Sequence, residues 1–326
     1  MHSTTKNTKT RAQIAAMAAR AFGGMALAGS DDAVRELKDG WFNAAYSVQL
    51  ADGREVILKI APPRDAEVMQ YERDIMATEV ASMRLVAQNR AIPVPEIYFY
   101  DQAHDLCDSD YFFMEKIAGD NFEHVNASLP AEARASLEQQ IGAVIREVNS
   151  FRGTYFGYPG NPELRADSWS AAFTAIMEAT LDDGARKHAE YGYSYGDIRA
   201  AYQQHRSALD EITAPCLVHW DAWNPNFFVR DGRVVGIIDF ERALWAEPLM
   251  EAQFRTIFAE DGTTNSMRGY GKTSFTAAEE QRSWLYTLHL GLVMNTECYY
   301  RNYDTDTIYK LALQVIAGAM EWLKAN

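Results

Sequence analysis

Between Leu217 and Glu241 the chain sets His219, Asp221 and Asn226 in an H-x-D-x-x-x-x-N loop, and Asp239 follows at the end of a short apolar run. A carboxylate such as Asp221 can accept or orient the proton of an attacking hydroxyl. An amide oxygen and a second carboxylate, here Asn226 and Asp239, can hold Mg²⁺ across the phosphates of a nucleotide. Those are the parts that phosphoryl transfer needs. The spacing serves that chemistry. A residue five positions after the base can turn back to the ion, and a hairpin at Asp231-Gly232 returns the chain so that Asp239 reaches it from the other side. His219 has two readings, a hydrogen-bonding strut for the loop and a chemical group.

An Asp or Asn in a loop is most often a solvated turn former. Here the polar residues interrupt apolar, β-prone runs at 216–218, 227–229 and 234–238. Carboxylates at the ends of buried strands are costly unless something is there to meet them. The stretch resembles the catalytic loop and metal aspartate of the aminoglycoside phosphotransferase and choline kinase family, a branch of the protein-kinase-like fold. The resemblance implies an α+β, two-lobed molecule. Residues 1–116 would form a small antiparallel-sheet lobe for the nucleotide, and 117–326 a mainly helical lobe for catalysis and acceptor binding. It also implies ATP and Mg²⁺, with Asp221 and His219 catalytic and Asn226 and Asp239 on the metal.

The elements upstream follow the same order of parts. Residues 33–61 alternate as three strands, with turns at 38–43 and at Asp52-Gly53. Gly40 and Asn43 fit the family's G-x-x-N phosphate loop, where glycine lets the backbone approach phosphate oxygens. Lys59 lies in an apolar strand and needs a counter-charge there. The family pairs such a lysine with a glutamate and the nucleotide phosphates. A helix spanning 65–88 offers Glu72 and Glu79, seven residues apart. Glu79 is the favoured partner, with Glu72 on a solvated face. The apolar run 111–114 breaks into a polar linker, which resembles the hinge between lobes. By family position Met114 would lie behind the adenine, with the Glu115 carbonyl and the Ile117 amide bonding to it.

Two departures from the family pattern are visible. Asp239-Phe240-Glu241 stands where protein kinases carry Asp-Phe-Gly. Ala246-Glu247-Pro248 with Glu251 replaces a common Gly-Asp-Pro with a following Asp. The Gly271-Lys272-Thr273 triplet has only the ending of a Walker A loop, with no strand before it, and reads as a surface loop between helices. Helices are expected at about 11–22, 130–150, 166–184, 195–212, 248–260, 276–300 and 306–324.

Composition bounds the function. The chain has 326 residues and a formal net charge of −14, most of it from 117–326. No basic stripe points to nucleic acid. No apolar run is long enough for a membrane span, and the polar amino end does not read as a signal peptide. Three cysteines without metal spacing suit a reducing cytoplasm. The sequence therefore points to an ATP-dependent kinase of a small-molecule hydroxyl, a monomer or homodimer. The acidic large lobe suits a cationic acceptor such as an aminoglycoside-like antibiotic, and Glu297 is a candidate acceptor contact, its plainer role being a surface pair with Arg301. The alternatives are a housekeeping kinase of the choline, methylthioribose, homoserine or fructosamine type, a protein kinase, and a non-catalytic nucleotide-binding relative.

Overall fold

The computed structural model describes residues 6–37, 42–255, 264–303 and 305–326. Its amino-terminal sheet is antiparallel throughout, in the order β1-β2-β3-β5-β4, formed by β1 (Val34–Leu37), β2 (Ala44–Gln49), β3 (Glu55–Ile60), β4 (Ile97–Asp101) and β5 (Tyr111–Glu115). The period of two along β3 and β5 sorts their side chains cleanly. Val56, Leu58, Ile60, Tyr111 and Phe113 pack beneath Ile14, Met17 and Ala18 of α1 (Arg11–Ala21). Ile57, Lys59 and Met114 take the opposite face, where a cleft opens. Covering both faces explains why these strands read as nearly continuous apolar runs.

Against that second face packs α2 (Ile75–Val86), which buries Met76, Val80 and Met83. The helix is shorter than expected. Glu72 belongs to a separate 3₁₀ turn, and Asp74, in the left-handed region at φ 48°, breaks the chain before α2 begins. Glu72 and Glu79 are therefore not two positions of one helical face.

The remainder is mainly helical. In chain order come β6 (Asp120–Asn121), α3 (Phe122–Val125), α4 (Ala131–Val148), β7 (Phe156–Gly157), β8 (Arg165–Ala166), α5 (Trp169–Arg186), α6 (Tyr195–His205) and β9 (Cys216–Val218). These are followed by β10 (Phe227–Arg230), β11 (Arg233–Ile237), β12 (Leu244–Ala246), α7 (Asn265–Tyr270), α8 (Ala277–Arg301) and α9 (Thr307–Ala325). Two small antiparallel sheets, β11-β10-β6 and β8-β7-β12-β9, hold the loops that lie between them. A core of aromatic and aliphatic side chains, among them Trp169, Phe173, Tyr202 and Tyr286, locks α5, α6, α8 and α9 together. The β10–β11 hairpin turns at Asp231 and Gly232 with φ of 52° and 73°, two left-handed residues in succession as a type I′ turn requires.

The expected helix at 248–260 changes, and the loop at 271–273 lies between helices as expected. The helix expected at 248–260 is instead a pair of 3₁₀ turns, Pro248–Met250 and Ala252–Phe254, with Glu251 extended between them and 256–263 outside the described residues. Gly271 is the left-handed cap of α7, and Lys272 pairs with Glu279 at 2.8 Å, so the Walker-like triplet ends a helix and has no strand before it. No helix among the described residues is long and apolar enough to cross a membrane.

Candidate active site

One cleft of about 1440 Å³ runs between the five-stranded sheet and the helical region. Asn43, Lys59, Met114, Glu115, Ile117, Asp221, Asn226 and Asp239 all lie on its wall. Gly40 lies outside the described residues. Glu79 stands one layer back, fully buried on α2.

The ammonium of Lys59 is the hub of the site. It donates to both oxygens of Glu79, at 2.7 and 2.8 Å, and to Oδ1 of Asp239 at 2.7 Å. Burial alone would push the ammonium down. The charges of Asp239 and Glu79 outweigh it and hold Lys59 above the ordinary lysine range. Glu72, expected on a solvated face, is buried too, but it pairs elsewhere, with Arg301 at 2.5 Å.

The catalytic-loop candidates are organised by the backbone. Asn226 donates its side-chain amide to the Asp221 carbonyl at 2.7 Å, which leaves Oδ1 as the end available to an ion. Its own carbonyl accepts from the Ile238 amide at 3.0 Å, joining this loop to the segment that presents Asp239. Asp221 accepts from Trp223 Nε1 at 2.7 Å and keeps Oδ2 3.9 Å from the Arg242 guanidinium. Gly236 has a packing reason. A Cβ there would come within 2.4 Å of the Ile117 side chain, so its absence lets Ile117 settle at the cleft.

Two non-glycine residues at the site sit in the left-handed region, Trp220 at φ 67° and Asp239 at φ 71°. Such backbone costs on the order of 1–3 kcal/mol and persists only where neighbours enforce it. For Trp220 the enforcement is visible. The fully buried Glu251 carboxylate accepts from the His219 and Trp220 amides at 2.8 and 3.0 Å and from Asn149 at 2.8 Å, while Arg255 donates to the Trp220 carbonyl at 2.7 Å. His219 completes the frame. Its Nε2 meets the Ile238 carbonyl at 2.9 Å, and its ring is wholly buried against Phe240. Of the two readings open for His219, the geometry carries the strut. The ring does not line the cleft.

Glu251→Ala should therefore leave two backbone amides buried without an acceptor and strip one of the two contacts of the Asn149 amide, which keeps the Leu217 carbonyl. We expect a loss of roughly 3–5 kcal/mol in urea unfolding. An unchanged midpoint would mean that the Trp220 turn is held by other contacts.

Sequence reasoning also passed over Glu241. It accepts from Asn43 Nδ2 at 2.7 Å, and burial followed by the charge of Asp239 pushes its carboxyl well above the usual range. Ligand atoms of Glu79, Asp239 and Glu241 lie within 4.8 Å of one another. Clustered carboxyl oxygens of this kind suit a hard divalent cation. The signal was present in the sequence, since an acid two residues after Asp239 in apolar surroundings needs a partner just as Asp239 does. Glu297 differs from its expected place as well. The pair with Arg301 exists, at 3.2 Å, but it is buried, and Arg242 at 2.7 Å and Tyr71 at 2.5 Å share the same carboxylate.

Comparison with known proteins agrees with this geometry. The model of the phosphotransferase enzyme family known as APH matches residues 33–271. A subtelomeric hrmA-associated cluster protein of Aspergillus fumigatus is 26% identical over 125 residues, which is 38% of this chain and 24% of that protein. The chain thus spans about a quarter of the length of the curated relatives it matches. Among solved structures, a thermostable mutant of aminoglycoside phosphotransferase APH(4)-Ia in complex with AMP-PNP and hygromycin B superposes with a TM-score of 0.66 at 16% identity, covering 95% of this chain and 98% of that one. The streptomycin–ATP complex of APH(2")-IIa gives 0.60 at 15% identity, covering 98% and 97%. Macrolide 2'-phosphotransferase MphH from Brachybacterium faecium gives 0.56 at 14% identity, covering 93% and 97%. At these identities the likeness is one of fold, the two-lobed protein-kinase-like fold.

Proposed function

The chain belongs to the APH phosphotransferase enzyme family, and we propose that it is a phosphotransferase that moves the γ-phosphate of ATP to a hydroxyl of a small molecule. The observation that carries this reading is the lysine hub. Lys59 bridges Glu79 and Asp239 at 2.7 Å each on the cleft wall that also presents Asp221 and Asn226.

In this reading residues 1–116 hold the nucleotide, with its adenine between Ile57, Met114 and Ile117, and residues 117–326 supply the catalytic loop and the acceptor wall. Mg²⁺ held by Asp239 and Asn226, with Glu241 close by, would neutralise charge on the phosphates. Lys59 donates to the phosphates as a point charge, and Glu79 keeps it aimed. Asp221 orients the acceptor hydroxyl and accepts its proton at Oδ2, since Oδ1 is engaged by Trp223. Trp220 and Arg255 fix the loop that carries Asp221. Neighbours of the same fold form complexes with AMP-PNP and hygromycin B and with ATP and streptomycin, which supports a nucleotide and a small acceptor here.

Calorimetric titration with AMP-PNP tests the reading. Binding is expected to require Mg²⁺ and to weaken in Lys59→Ala. Glu79→Ala should weaken it indirectly, so the double variant should lose less than the sum of the two, with a coupling of about 0.5–3 kcal/mol. A wild-type protein that ignores AMP-PNP with and without Mg²⁺ sinks the proposal.

A further inference from the structure

Asp221 has a charged companion on its side of the cleft. Arg242 ends the 3₁₀ turn Phe240–Arg242 that follows Asp239, and this short turn brings it to the same wall. Its Nε comes to 3.9 Å from Oδ2 of Asp221, the oxygen that Trp223 leaves free. The guanidinium is held from three sides. Its centre lies 5.3 Å from the Trp220 ring and 5.6 Å from the Tyr71 ring, and Nη2 pairs with Glu297 at 2.7 Å.

These contacts use only part of its capacity, since a guanidinium carries five N–H donors. Nε is buried without an acceptor. Nη1 has no partner and is not sealed, in a side chain that keeps 12% of its surface open and lines the cleft. Glu297 does not account for the arginine by itself, because that carboxylate also has Arg301 at 3.2 Å and the Tyr71 hydroxyl at 2.5 Å. The charge of Arg242 reaches the metal side too. Burial would raise the Asp239 carboxyl, but the charge of Lys59, joined by that of Arg242, holds it below the usual range. An acceptor hydroxyl bonded to Oδ2 would lie about 2.7 Å from it and about 3–3.5 Å from the phosphorus it attacks. The oxygens of that phosphoryl group then fall within reach of the Arg242 guanidinium.

We propose that Arg242 is a further catalytic residue, an arginine supplied in cis that donates from Nη1 to the phosphoryl group as it moves. The inference rests on the phosphotransferase reading above. As the hydroxyl oxygen bonds to phosphorus, the bond to the β-phosphate oxygen breaks, its electron pair leaves with ADP, and the hydroxyl proton passes to Asp221. Charge spreads over the three remaining oxygens of the group in flight. A guanidinium already fixed beside them stabilises that state more than the bound nucleotide at rest.

Calorimetric titration tests this without knowledge of the acceptor. MgADP with aluminium fluoride imitates the group in flight, and MgAMP-PNP imitates the ground state. Fluoride should tighten MgADP binding to the wild type by at least about 10²-fold, as transition-state analogues do. Arg242→Gln and Arg242→Lys should each lose at least about tenfold of that tightening, within the range an arginine of this kind supplies, while MgAMP-PNP affinity stays close to wild type. Should both variants fail to fold, a crystal structure of the wild type with MgADP and aluminium fluoride decides. A guanidinium nitrogen of Arg242 should then lie within about 3.2 Å of a fluoride, and absence of that contact overturns the inference. It is also overturned if fluoride leaves wild-type MgADP binding unchanged, if the tightening survives in both variants, or if MgAMP-PNP weakens as much as the analogue. Each of those results leaves the phosphotransferase reading standing. Loss of MgAMP-PNP binding by the wild type itself overturns both.

Discussion

Asp239→Asn is expected to abolish turnover almost completely while leaving the fold intact. The two side chains are nearly isosteric, and asparagine is among the few residues that tolerate the left-handed backbone seen at this position. What changes is charge. The neutral amide no longer offsets a divalent cation, and it withdraws one of the two carboxylates on which Lys59 rests. A bound metal contributes several kcal/mol of charge stabilisation in such transfers, and each 1.36 kcal/mol is tenfold in rate. We therefore expect a fall of at least about 10³-fold in kcat, with Mg²⁺-dependent tightening of AMP-PNP largely lost. The circular dichroism spectrum and melting temperature should stay close to wild type. Substantial activity in the purified variant would place the metal elsewhere in the cleft.

Asp221→Asn should act on the other side of the transferred group. The variant keeps an oxygen for Trp223 Nε1 and the backbone contact with Asn226, so the loop should hold its shape. It loses the oxygen that accepts the proton of the hydroxyl. General-base and orienting groups of this kind are worth about 10²–10⁴ in rate. The loss should fall on kcat, with MgAMP-PNP affinity little altered. The opposite pattern, weak nucleotide binding with an intact chemical step in single-turnover measurements, would falsify the assignment of Asp221 to the acceptor.

Both expectations concern residues that can be picked out of the linear sequence, and the reason is local. Asp221, Asn226 and Asp239 lie within one loop–hairpin unit whose turn chemistry, Asp231-Gly232, and apolar flanks are written side by side in the chain. The strands around Lys59 are legible for the same reason. A side chain pointing to one face or the other follows from a period of two, and that period needs no knowledge of what packs against the sheet.

Contacts across the chain are another matter. Glu79 could be favoured over Glu72 from its surroundings in the sequence. The decisive fact, that Asp74 breaks the helix and sends Glu72 to Arg301 more than two hundred residues away, is set by tertiary packing. His219 reads equally well as chemistry or support until its full burial beneath Phe240 is seen. Glu251 departs from the family's aspartate, yet its longer side chain reaches the His219 and Trp220 amides because residues 248–254 form two tight turns in place of a helix.

The acceptor wall was hidden most completely. A net charge of −14 says how many acids the chain carries and nothing about which are already paired. Arg242, Arg301 and Tyr71 come from three distant segments to close around Glu297, and Arg255 is left without a described carboxylate. The sequence by itself picked out the candidates Asp221, Asn226 and Asp239, because they lie within one loop–hairpin unit of neighbours along the chain. The tertiary structure alone decided which charges remain open to a substrate, because ion pairing in a buried site depends on distances in space that composition and spacing do not encode.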